Sequence, residues 1–159
     1  GGFSDVKRGD WYAPYVAFAK RYGIANGYLD GTFRPEQPVS RAELVKLIAS
    51  YFTVEGGTSP FPDVPAGHWA AEVVSFAAEE GWVSGYPDGT FRPDAPVSRA
   101  EAVKILNHAL DRRAGERAAA LPFTDVEKGH WACDEIREAA VSHTYRKSGE
   151  GETWLTYER

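Results

Sequence analysis

Three helix-loop-helix copies, packed as an all-α bundle of pseudo-threefold symmetry with long loops outside, are what this sequence predicts. Three observations carry that expectation. Phe3, Asp5, Val6, Gly9 and Trp11 recur as Phe61, Asp63, Val64, Gly67 and Trp69, and again as Phe123, Asp125, Val126, Gly129 and Trp131. The stretch from Gly27 to Glu43 returns at Gly85 to Glu101 with 14 of its 17 residues unchanged, so two of the three copies are complete. Within each copy the apolar residues fall three and four apart, the period of a helix. The copies span residues 3–52, 61–110 and 123–159, the last degenerate or incomplete. A lone helix pair buries only one face, so the three are expected to share a core as one module.

In the first copy Trp11, Tyr15, Phe18, Ala19 and Tyr22 predict a helix opened by Trp11 and ended by Gly23. Pro14 sits in the first turn, where a missing N–H is tolerated. The loop that follows contains Asp30-Gly31, a turn signal, and then Pro35 and Pro38, which keep the chain extended. Ser40 and Glu43 have the spacing of a capping box, which starts a second helix over about residues 41–52. The second copy repeats this with Trp69, Val73, Phe76, Ala77 and Gly81, and then Val103, Ile105, Leu106 and Leu110 behind Ser98. Thr53 to Pro60 and Asp111 to Pro122 are joints, and the second helix of copy two is free to run on into the latter. The third copy starts normally, with a helix from Trp131 to about Ser142. It then departs from the pattern: Gly149 to Trp154 reads as an altered loop, and no Ser-Arg-Ala-Glu follows.

Composition narrows the function. The net charge is −5 with no Lys/Arg block, which removes nucleic acid as a partner. No apolar run of 18 residues exists, so membrane insertion is not expected. One cysteine, Cys133, excludes an intrachain disulfide framework, and with no Met anywhere the chain reads as a piece of something larger.

Arg41 and Arg99 are the leading candidate site residues. Each follows a helix-capping Ser, where the partial positive charge of the helix start disfavours a cation, so stability alone does not account for it. Beside free N–H groups it would make a pocket for a carboxylate or phosphate. The alternative is an Arg paired with an acid, Asp5 or Asp63, that only locks copies together. Trp11 and Trp69 could stack on sugar rings or pack in the core. Asp5 and Asp63 could accept sugar hydroxyls or cap local turns, and Gly27 and Gly85 could admit a ligand or merely shape the loop.

Other chemistry fits less well. An EF-hand register at Asp30-Gly31 places Tyr28 and Gln37 at ligand positions three and twelve, which argues against calcium. No cofactor is implied. His68 and His130 suit helix caps, Cys133 a structural face, and the distinctive residues are duplicated where an active centre is normally single, so an enzyme is not expected.

The motifs Phe-x-Asp-Val, Gly-x-Trp, Gly-Tyr-x-Asp-Gly-Thr-Phe-Arg-Pro and Val-Ser-Arg-Ala-Glu, in this order, resemble the S-layer homology (SLH) family. The resemblance covers residues 3–52 and 61–110 fully and 123 to about 142 in part. It implies a three-pronged pseudo-trimer that anchors exported bacterial proteins to pyruvylated secondary cell-wall polysaccharide, or to modified peptidoglycan, outside the cell. By motif, Arg41 and Arg99 would hold the pyruvate carboxylate, with Trp11, Trp69, Asp5, Asp63, Gly27 and Gly85 lining the grooves. The third copy lacks the motif Arg. The rival expectation is a protein-interaction or surface-layer self-assembly module, with a glycan hydrolase a distant third.

Overall fold

Ser40 and Ser98 end the two long loops and start helices, and the packing is built outward from these points. The computed structural model describes residues 2–112, 120–148 and 151–157. Its helices are α1 (Ala13–Arg21), α2 (Arg41–Ala49), α3 (Ala71–Glu79), α4 (Arg99–Ala109) and α5 (Cys133–Ala140). Two strands follow, β1 (His143–Ser148) and β2 (Gly151–Tyr157), paired antiparallel with an irregularity between Thr144 and Tyr145.

Both capping boxes form as the spacing predicts. Ser40 Oγ accepts from Glu43 N at 3.2 Å while Glu43 returns to Ser40 N at 2.8 Å, and Ser98 with Glu101 does the same. The opening helices start differently. Trp11, Trp69 and Trp131 lie in the turns just before α1, α3 and α5 rather than within them. In the later two copies a histidine closes the preceding turn rather than capping the helix as expected: His68 Nδ1 accepts from Ala70 N and His130 Nδ1 from Ala132 N, while α3 and α5 have no side-chain cap. Gly23 and Gly81, at φ 70° and 72°, follow the ends of α1 and α3 closely.

The core lies where α2 meets α3 beneath the copy-two loop. Ala42, Val45, Ile48 and Ala49 of α2 pack with Val73, Val74 and Ala77 of α3 and with Phe61, Trp82, Phe91 and Ile105. Phe52 closes one edge on Trp82, with ring centroids 4.8 Å apart. The same step occurs twice: α2 packs on α3, and α4 on α5, so the closing helix of one copy covers the opening helix of the next. Among the described residues no other element packs on α1.

Three expectations are corrected. The chain is not all-α, because β1 and β2 stand where an altered loop was expected. Thr144, Tyr145, Thr153, Trp154 and Thr156 are β-branched or aromatic and suit a pleated pair. The apolar stripe of α1 does not face a core: Tyr15, Phe18 and Tyr22 are exposed, and Val16 alone is buried within that helix. The helix predicted to run to residue 52 ends at Ala49. The copy-two helix likewise stops at Ala109, with Asp111 at φ 52°, and does not run on into the joint, whose residues 113–119 lie outside the described residues.

Candidate functional site

Each complete copy builds the same loop from the same bonds. Asp5 takes the backbone N–H of Phe33 and Arg34 at 2.8 and 2.7 Å, and Asp63 takes those of Phe91 and Arg92 at 2.9 and 2.7 Å. These aspartates therefore cap a turn 28 residues away, not a local one. The bonds hold Arg34 and Arg92 at φ 59° and 58°, a left-handed conformation uncommon for arginine. The hydrogen bond from Phe33 holds the Asp5 carboxyl below its usual range. For Asp63, burial pushes upward but the Phe91 and Arg92 bonds outweigh it.

Arg34 and Arg92 were not singled out by the sequence reading. Each spans its turn, pairing with Asp30 or Asp88 at 2.9 and 2.8 Å and lying over the Tyr28 or Tyr86 ring at 3.9 and 4.0 Å. Hydrogen bonds from Thr32 and Arg34 draw the Asp30 carboxyl down to about 2. Those from Thr90 and Arg92 lower Asp88 further.

Gly27 and Gly85 sit at φ 71° and 69° against Phe3 and Phe61, whose rings a Cβ there would strike. The close approach they allow is to this chain's own core.

Arg41 and Arg99 occupy matching positions and meet opposite surroundings. Arg41 is 6% exposed; its Nη1 donates to Glu101 Oε1 at 2.9 Å and its Nε to the Phe91 carbonyl at 2.9 Å. Tyr86 and Phe91 flank the guanidinium at 4.7 and 4.9 Å. The backbone N–H groups of Arg41 and Ala42 are taken by the carbonyls of Ala95 and Pro93. Copy two thus fills the start of α2. Arg41 pairs with an acid and joins the copies, and that acid is Glu101 rather than Asp5 or Asp63. Glu101 also accepts from Tyr86 Oη at 2.5 Å; burial works against its charge, yet the bonds from Tyr86 and Ser98 and the Arg41 cation leave it below its usual range.

Arg99 is exposed, and among the described residues its side chain makes no hydrogen bond or ion pair. The N–H groups of Arg99 and Ala100 likewise have no carbonyl partner of the kind that closes α2. Among the described residues nothing closes the start of α4, which carries the exposed Arg99. Trp11, Trp69 and Trp131 are 81%, 57% and 60% exposed, which overturns the core reading and leaves the indoles accessible.

These repeated loops and capped helices match a described family. The S-layer homology domain matches residues 2–45 and 60–103, more than half of the chain. The chain belongs to the S-layer homology domain family. Over 96% of its length this SLH chain is 34% identical to Cell surface glycoprotein 1 of Acetivibrio thermocellus, of which it covers 7%. It is also 34% identical to the Cellulosome-anchoring protein of that organism, over 94% of this chain and 35% of that protein. The S-layer protein of Bacillus licheniformis is 36% identical over 67% of this chain and 13% of its own length. The chain thus spans about a third or less of each of these three relatives.

One further cationic surface is peculiar to the first SLH repeat. Lys7, Arg8, Lys20 and Arg21 rim a cleft of about 700 Å³ floored by Phe3, Val6, Pro14, Val16 and Ala17. Pro65, Ala66, Ala78 and Glu79 stand at the corresponding places of the second repeat. There the connector lies across the matching face, with Gly56 against Glu72 and Gly57 against Ser75 and Glu79. The charges are therefore not required by the scaffold, and comparing copies position by position would have found them.

Proposed function

We propose that this SLH chain is a non-catalytic module that fastens an exported bacterial protein to the cell wall by binding an anionic wall polymer, in the first instance pyruvylated secondary cell-wall polysaccharide. The observation that carries the proposal is the open start of α4, where the exposed Arg99 stands beside first-turn N–H groups that have no carbonyl partner among the described residues. A carboxylate fixed on a sugar ring by a ketal could take both the guanidinium and the helix start. The exposed Trp11, Trp69 and Trp131 would add faces for sugar rings, and the four cations rimming the first-repeat cleft add attraction for a polyanion in a chain of net charge −5. Two of the relatives carry surface-layer or anchoring in their names, which supports the same location.

On this reading residues 123–159 are a degenerate third repeat and the copies are arranged as three prongs. The repeated step of α2 on α3 and α4 on α5 supports that arrangement. Arg41, Asp5, Asp63, Gly27 and Gly85 enter the proposal as residues that shape the grooves and hold the repeats in register. Modified peptidoglycan is the other wall ligand of this chemistry. The test is calorimetric titration with purified wall polymer before and after mild acid removal of pyruvate ketals. Binding lost on depyruvylation, and weakened by Arg99→Ala in a chain that keeps its helical signal, supports the proposal; equal binding to both polymers sinks carboxylate capture.

The exposed aromatic face of α1, formed by Trp11, Tyr15, Phe18 and Tyr22, favours a second reading as a self-assembly surface of a layer. That reading requires a mass that rises with concentration in light scattering and returns to the monomer value on Phe18→Ser with Tyr22→Ser.

A further inference from the structure

We infer that Glu138, His143 and Glu152 form a site for one divalent transition-metal ion of the zinc class, and that Arg112 is the resident cation such an ion displaces. The three side chains come from α5, the first residue of β1 and the start of β2. They are 1%, 3% and 0% exposed, and each offers a ligand atom within 4.8 Å of the other two.

The geometry behind these atoms is that of ligands already oriented. His143 Nδ1 lies 2.6 Å from the Val141 carbonyl, which can only accept, so the proton sits on Nδ1 and the Nε2 lone pair is turned inward. The imidazole plane is held by Trp154, stacked at 3.8 Å and 14°. Trp154 Nε1 donates to Glu138 Oε2 at 2.9 Å, leaving Oε1 facing the centre. Bonds of this kind, made by the far atoms of the ligands, fix tautomer and direction around metal ions.

At the centre stands one nitrogen of Arg112. Its Nη2 is 2.6 Å from Glu138 Oε1 and 2.7 Å from His143 Nε2, and its Nε is 3.2 Å from Glu152 Oε1. A metal at the Nη2 position needs those two distances to shorten only to about 2.0–2.2 Å. Charge favours the exchange. A divalent ion brings one more positive charge to the two buried carboxylates than Arg112 does. One imidazole with two carboxylates is a set that suits zinc, and a solvent molecule would complete four-coordination. Arg112 is also the most exposed member at 25%, lying over the Tyr145 ring, so it can leave without moving β1 or β2.

The test uses the full chain after chelation and dialysis, titrated with Co²⁺ while visible absorption and thermal unfolding are recorded. The expected result is saturation at one Co²⁺ per chain with ligand-field bands and a raised Tm. Glu138→Gln and His143→Gln should each weaken uptake at least about tenfold. Arg112→Ala, which removes the competing cation, should tighten it. Absence of saturable uptake by the wild-type chain overturns the inference by itself, whether or not the variants fold. So does uptake that survives Glu138→Gln and His143→Gln unchanged. Loss of both stability and uptake in a folded Arg112→Ala chain would mean the cluster is an ion-pair network only.

Discussion

Arg41 and Glu101 meet at 2.9 Å across the junction of two SLH repeats, 60 residues apart in sequence, and each already serves its own helix start. Glu101 closes the capping box of α4 while it receives the guanidinium from α2. One carboxylate thus couples a local cap to the joint between repeats.

Removing Arg41 should therefore be a stability mutation. Arg41→Ala strips a partner from a half-buried carboxylate and from the Phe91 carbonyl, and is expected to lower unfolding free energy by about 3 kcal/mol. Arg99→Ala, at the matching exposed position, should stay within about 0.5 kcal/mol of the parent. Urea unfolding of the two variants side by side measures the difference, and equal losses would contradict the asymmetry between the two helix starts.

The two glycines of the copy-two turn separate conformational strain from steric conflict. Gly89, at φ 80°, has open space where a Cβ would go, so Gly89→Ala should cost about 1 kcal/mol from backbone conformation alone. Gly85, at φ 69°, would drive a Cβ into the Phe61 ring and the Thr90 carbonyl, and Gly85→Ala should cost about 2 kcal/mol or more. Thermal unfolding should rank Gly85→Ala clearly below Gly89→Ala.

Acid should loosen the loops. Asp5, Asp30, Asp63 and Asp88 have folded values below the ordinary 3.8, Asp30 at about 2, so their contribution is complete above the ordinary range and fades as pH falls through the folded values. The denaturant midpoint is expected to be flat from pH 6 to 5 and to fall steadily from about pH 4 towards 2. Asp63→Asn should blunt that fall.

His108 has the opposite sign. Glu135 Oε1, 3.2 Å from its Nε2, raises the His108 value above 6.5 against the effect of burial, with the Gly81 carbonyl helping. The pairing of α4 with α5 is thus fully reinforced below about pH 6.5 and weakens as pH rises through the raised folded value. Tm measured between pH 6 and 9 should decline more in the parent than in His108→Gln, and parallel profiles would remove this contact as the cause.

Much of the fold could be read directly. The Ser-x-x-Glu spacing placed the starts of α2 and α4 to the residue, and the glycines after α1 and α3 marked where those helices stop. The side on which each helix is buried could not be read the same way. Tyr15 and Val73 hold equivalent places in the repeat, and the first is 70% exposed while the second is 3% exposed, because α2 packs on α3 and, among the described residues, no element packs on α1.

What the sequence by itself determined is therefore the local machinery: repeats, turns, caps and the bonding partners implied within a few residues. Such features depend on dihedral preference and on hydrogen bonds three or four residues long, which identical motifs reproduce wherever they stand. Only the tertiary structure decided that Arg41 is a buried tie and Arg99 an open cation, that Trp11, Trp69 and Trp131 face outward, and that a hairpin replaces the last helix. Those outcomes turn on desolvation by neighbours 28 to 60 residues away, such as Phe91 and Glu101, and an identical Val-Ser-Arg-Ala-Glu carries no information about which neighbour it will meet.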